Sequence, residues 1–160
     1  MIKILSDIAS IKIYYQIKQG SSNMSESKAS VTWQENKAFM GVSPSGHNVQ
    51  IDADKEKGAS PMELILLGLG GCASYDVVAI LQKSRQEVTD VRCELTAQRA
   101  ETVPAVYTDI HMHFVVTGQD VKDSQVEKAI KLSAEKYCSA SRMLVQGGVN
   151  VTHDFEVIAG

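Results

Sequence analysis

Residues 60–86 read SPMELILLGLGGCASYDVVAILQKSRQ, and the architecture turns on this stretch. Ser60 supplies a hydroxyl able to cap a first helical turn, and Pro61 loses nothing at the first helical position, where its missing N–H would be unpaired anyway. Glu63, three residues after Ser60, completes a capping box. Beyond it the chain stays apolar to Leu81, so the pattern predicts a helix from 61 to about 86. The middle turns are apolar around most of their circumference. Such a helix needs cover on more sides than one sheet provides, and a symmetric second copy of the chain is the simplest source of it. Glu63, Tyr75, Asp76 and three glycines make the same stretch a poor bilayer span, so no membrane association is expected.

Upstream, residues 29–51 alternate as strands do: Val31 and Trp33, then Phe39 and Met40, then Val49 and Ile51 after the Ser43-Pro44-Ser45-Gly46 turn. Downstream, 88–97 and 107–116 form a predicted hairpin. A second continuous helix is expected over 124–145, with its start at Asp123 or Ser124 and Glu127 behind it. Val149, Val151, Phe155 and Val157 make a last strand after Gly147-Gly148. The order is three strands, helix, two strands, helix, strand, with the strands expected to pair as hairpins rather than through crossovers. That is an α+β fold. Gly20-Ser21-Ser22-Asn23 reads as a linker, so residues 1–23 are expected to be an extension or extra strand, and 24–160 a single domain.

Composition narrows the function. The chain has 160 residues, 44% of them hydrophobic, which is enough for one buried core. A formal net charge of -3 offers no basic surface to a nucleic acid or an anionic membrane. Residues 1–5 lack the pattern of a signal peptide, so a cytoplasmic location is expected. Three cysteines are too few and too widely spaced for a disulfide framework or a CxxC zinc site. His47, His111, His113 and His153 fall on predicted strands or loops, so neither a metal site nor a cofactor is expected.

What remains is thiol chemistry. Cys72 lies on the first helix behind Gly70-Gly71, where missing side chains let a substrate or another helix approach the backbone. On a continuous second helix, Lys131, Ala134, Glu135, Arg142 and Val145 surround Cys138. Arg142 is then placed to favour a thiolate at either cysteine, or else belongs to an ordinary solvated face. Cys93, on its strand, reads as an inert small hydrophobe.

Ser60-Pro61-Met62-Glu63-Leu64, Gly70-Gly71-Cys72-Ala73-Ser74-Tyr75-Asp76 and Ala134-Glu135-Lys136-Tyr137-Cys138-Ser139 together resemble the two cysteine helices of the OsmC and organic-hydroperoxide-resistance (Ohr) superfamily. The likeness is greatest to its YhfA-like branch and covers residues 29–158. It implies an OsmC-like fold: an intertwined homodimer with two long central helices packed on curved antiparallel sheets. It also implies a thiol peroxidase of stress defence, in which Cys72 is peroxidatic and Cys138 resolving, a small peroxide is the substrate, and a dithiol of unknown identity is the reductant. Such peroxidases hold the thiolate with an arginine from the N-terminal strands and place a glutamate directly after the helix-starting proline. Here no arginine precedes Arg85, which leaves that role vacant or passes it to Lys37 or Arg142. Met62 follows the proline, and Glu63, one residue late, reads as a supporting residue or as the capping-box partner alone. Against the peroxidase stand two non-catalytic readings of the homodimer, an apolar-ligand binder and a redox sensor.

Overall fold

The computed structural model describes residues 26–160, so the extension expected at 1–23 lies outside the described residues. The chain divides into two compact units with the boundary between Gln50 and Ile51. The first three strands are β1 (Ser30–Glu35), β2 (Ala38–Val42) and β3 (Asn48–Asp52), in the spatial order β1-β2-β3. The β1–β2 hairpin turns tightly because Asn36 takes φ 45, a left-handed value that asparagine tolerates. Trp33 donates its indole N–H to the Asn36 carbonyl at 3.0 Å, tying the strand to its own turn.

After β3 a charged loop folds around one carboxylate. Asp52 is buried and accepts backbone N–H bonds from Asp54, Glu56 and Lys57 at 2.9, 3.2 and 3.1 Å. These bonds, that from Asp54 foremost, hold its carboxyl below the usual range. The Asp52 N–H donates to the Ala59 carbonyl at 3.1 Å, which delivers Ser60 to the start of α1 (Pro61–Lys83).

The second sheet comprises β4 (Glu87–Arg99), β5 (Tyr107–Gln119) and β6 (Asn150–Ala159), in the order β4-β5-β6. The predicted β4–β5 hairpin is present and antiparallel. β6 pairs parallel to β5, from Asp109↔Asn150 to Gly118↔Ala159, which corrects the expectation that every strand pairs as an antiparallel hairpin. The helical segment between them carries the chain back along the sheet, and a crossover of that length permits parallel pairing. That segment is α2 (Asp123–Leu132), a π-turn (Ser133–Tyr137) and α3 (Ser139–Gln146), not the continuous helix predicted.

The core lies between α1 and the second sheet. Leu69, Ala73, Val77 and Leu81, spaced by four, bury one stripe of α1 in a cluster with Ile110, Met112, Phe114 and Val116, which alternate along β5. Val126, Ala129 and Ile130 of α2 complete the cluster. By length and composition α1 is apolar enough to cross a membrane, but this stripe makes it a core helix. Its other side is open, with Leu67 60% and Tyr75 74% exposed.

On the sheet's outer face, His113 Nδ1 lies 2.6 Å and His111 Nε2 3.2 Å from the same Asp154 oxygen. The bond to Asp154 raises the His113 pKa, and the bond to His113 lowers that of Asp154.

Two outcomes are expected. A Cβ at Gly118 would fall on the Glu87 carbonyl oxygen and 2.9 Å from Val88 Cα, whereas one at Gly70 would meet only the flexible end of Leu95, 2.7 Å away. In urea unfolding, Gly118→Ala should therefore cost about 3 kcal/mol and Gly70→Ala clearly less, and equal losses would contradict the packing described. The second concerns pH. The His113 contribution to stability is full below the ordinary histidine pKa and is lost as pH rises through the folded value; that of Asp154 is present above the ordinary aspartate pKa and is lost as pH falls through its own. The stability difference between wild type and His113→Gln should shrink between about pH 5.5 and about pH 8.5. A constant difference would mean the pair is not coupled to folding.

Candidate functional site

Cys72 stands midway along α1, beside its buried stripe. Gly70 lets the helix lie close to β4, while a Cβ at Gly68 or Gly71 would meet nothing within 4 Å. The backbone next to the thiol is therefore open. Cys72 itself is half-buried.

Cys138 reaches the same place by a different route. The helix predicted over 124–145 slips into π geometry at Ser133–Tyr137 and stops at Cys138, whose φ -69 and ψ 101 are extended rather than helical. Its N–H donates to the Ser133 carbonyl at 2.9 Å, a five-residue span in place of four. The side chain then caps α3, Sγ accepting the Ser141 N–H at 3.4 Å. Cys138 is 0% exposed, and its thiol interacts electrostatically with that of Cys72. Burial first, then the neighbouring Cys72 and the charge of Asp76, push the Cys138 thiol up to about 11, while the Ser141 N–H acts in the opposite direction.

Asp76 and Ser133 complete this neighbourhood. Ser133 is buried and donates its hydroxyl to Asp76 Oδ2 at 3.1 Å. A cavity of about 410 Å³ opens next to Asp76, walled by Tyr75, Ile80, Lys83, Lys128, Leu132 and Tyr137. Cys93, on β4, is half-buried, and burial raises its thiol to about 11.

The residues considered for support lie elsewhere on the chain. Glu63 forms the capping box, accepting the Ser60 N–H at 2.8 Å, and pairs with Lys55 at 2.6 Å. These partners, Lys55 foremost, lower its carboxyl to about 2. Nine residues separate it from Cys72, about 13 Å along the helix axis. Arg142 is exposed in a surface groove with Ala134 and Glu135, one turn into α3, where its N–H donates to the Cys138 carbonyl at 3.1 Å. Lys37 stands in the β1–β2 turn of the first unit.

Sequence reasoning did not single out Ser133 or Ser141. Nothing in Ser133-Ala134-Glu135-Lys136-Tyr137 disfavours an α-helix, and Ser139 is a more usual cap than cysteine. Among the described residues no group of three or more His, Cys, Asp or Glu could hold a metal ion.

A family model described as OsmC-like protein matches residues 53–154. Protein YhfA of Escherichia coli (strain K12) is 49% identical over 133 residues, 82% of this chain and 98% of that protein. The crystal structure of a hypothetical protein from Aquifex aeolicus VF5 superposes with a TM-score of 0.78 at 33% identity, covering 86% of this chain and 99% of that one. The organic hydroperoxide resistance protein OhrB of Bacillus subtilis shares the fold at a TM-score of 0.57 and 16% identity, covering 83% of this chain and 99% of its own.

Full burial of Cys138 and the raised pKa of the Cys93 and Cys138 thiols slow their alkylation. Brief treatment of the reduced protein with iodoacetamide at neutral pH should label Cys72 before Cys93 and Cys138, as read by peptide mass spectrometry. Preferential labelling of Cys138 would contradict its burial.

Proposed function

As the chain belongs to the OsmC-like family, we propose that it is a thiol-dependent hydroperoxide reductase, with Cys72 peroxidatic and Cys138 resolving. The observation that carries this reading is the pairing of an accessible thiol with a fully buried one, brought together from separate helices. The printed name of the Bacillus subtilis relative, organic hydroperoxide resistance protein, supports the substrate class.

The Cys72 thiolate attacks the distal peroxide oxygen, the O–O bond breaks, and a proton joins the departing alkoxide to give the alcohol. Cys72 becomes a sulfenic acid. Cys138, protonated until then, condenses with it to form the disulfide and release water. A dithiol reductant reopens the bridge, and the Ser141 N–H stabilises Cys138 as the leaving thiolate. Open backbone beside Cys72 leaves room for the organic part of a hydroperoxide.

The unit is a homodimer in this reading. Ile65, Leu67 and Tyr75 lie exposed along the side of α1 turned away from its core, and a second copy gives them cover. Sedimentation should return twice the chain mass at micromolar concentration.

Stopped-flow oxidation of the reduced protein by cumene hydroperoxide tests the chemistry. Cys72→Ser should lose the fast phase, whereas Cys138→Ser should keep it and then accumulate sulfinic and sulfonic forms. Oxidised wild type should carry a bridge between Cys72 and Cys138, with Cys93 free. Absence of any fast phase in wild type would remove the peroxidase reading and leave the ligand-binding one.

A further inference from the structure

We propose that Asp76 is the positioning residue of the second thiol: through Ser133 it fixes the turn that delivers Cys138 to Cys72. This rests on the dithiol reading above.

The connection is a short chain of bonds. Asp76 follows Cys72 by one helical turn, so both project from α1 on neighbouring lines. Its Oδ2 accepts the hydroxyl of Ser133 at 3.1 Å, and that hydroxyl also lies 3.4 Å from the Ala73 carbonyl. Ser133 is 1% exposed, so its hydroxyl has no water to turn to and depends on α1 for partners. The carbonyl of the same residue accepts the Cys138 N–H at 2.9 Å, the bond that closes the π-turn. The carboxylate is thus anchored to the residue that decides where the second helix breaks. A hydrogen bond to an ionised acceptor is stronger than one between neutral groups, which suits Asp76 better than an amide for holding the turn.

Electrostatics gives the carboxylate a second effect. The groups acting on the Cys138 sulfur are Cys72 and Asp76 from α1 and the Ser141 amide from α3. Around Asp76, the cavity brings Lys83 of α1, Lys128 of α2 and the two tyrosines, Tyr75 and Tyr137. Two adjacent thiolates repel, so the pair works best with one charge at a time. Asp76 biases that charge away from Cys138. In closure, the Cys138 sulfur bonds to the Cys72 sulfur as the sulfenic S–O bond breaks. Cys138 is oxidised, the sulfenic sulfur is reduced, and the thiol proton leaves with hydroxide as water.

Three variants separate anchor from charge: Ser133→Ala removes the bond and keeps the charge, Asp76→Asn keeps an acceptor oxygen and removes the charge, and Asp76→Ala removes both. Disulfide closure is followed by rapid quench and mass spectrometry after one equivalent of cumene hydroperoxide. The pH midpoint of Cys138 alkylation by iodoacetamide is measured with each change placed on Cys72→Ser. Ser133→Ala should slow closure by about tenfold to a hundredfold through misplacement alone, leaving the alkylation midpoint where it was. Asp76→Asn should move that midpoint down, with closure slowed less than in Ser133→Ala. Asp76→Ala should show both effects. Wild-type closure in Ser133→Ala and Asp76→Ala would overturn the proposal. A wild type that never forms the bridge would overturn the dithiol reading instead, and the alkylation profiles would still decide whether Asp76 controls Cys138.

Discussion

The stripe of Leu69, Ala73, Val77 and Leu81 along α1 is the contact on which the rest of the larger unit depends. Those side chains bury themselves with β5 and α2, and fully burying each larger one contributes about 1.5–3 kcal/mol. The stripe fixes the helix rotation, and with it which residues face the second helical segment. Cys72 and Asp76 are set by this rotation at the border between the buried side and the open one. A capping box at one end and the turn through Arg85, φ 57, at the other fix where the helix begins and ends.

Much of this was readable from residues alone. Ser60, Pro61 and Glu63 announced the helix start because each has a local effect that does not depend on tertiary context, and the structure shows both halves of the capping box. Alternation located the six strands of the described residues, since a half-buried strand imposes period two whichever neighbour it has. Pairing direction was not readable in that way. β6 carries the same alternation parallel or antiparallel, and only the path of the intervening helices decides. The break at Cys138 was hidden for a related reason: Ser133 to Tyr137 is compatible with an ordinary helix, and Asp76, the partner of the Ser133 hydroxyl, is far away in sequence.

The relatives agree on the fold and divide on what they are named for. The Escherichia coli protein at 49% identity bears a name without a function, whereas the Bacillus subtilis protein named for hydroperoxide resistance is 16% identical. The chemistry therefore has to be argued from the thiols, and their asymmetry carries the argument. Cys72 is half-buried, whereas Cys138 is fully buried with its thiol pKa raised.

The parallel seam between β5 and β6 also bears on how the chain acquires its fold. Asn150 meets Asp109 across a separation of 41 residues, whereas β4 and β5 meet through a local hairpin. Loop closure makes the long-range pairing the later event, and it waits on the helical crossover. Until β6 arrives, β5 presents a thirteen-residue edge with Phe114 and Val116 along it. An unpaired edge of that kind is a template for another nascent chain, so the interval before the third strand docks is the period in which this protein is most exposed to aggregation and chaperone capture.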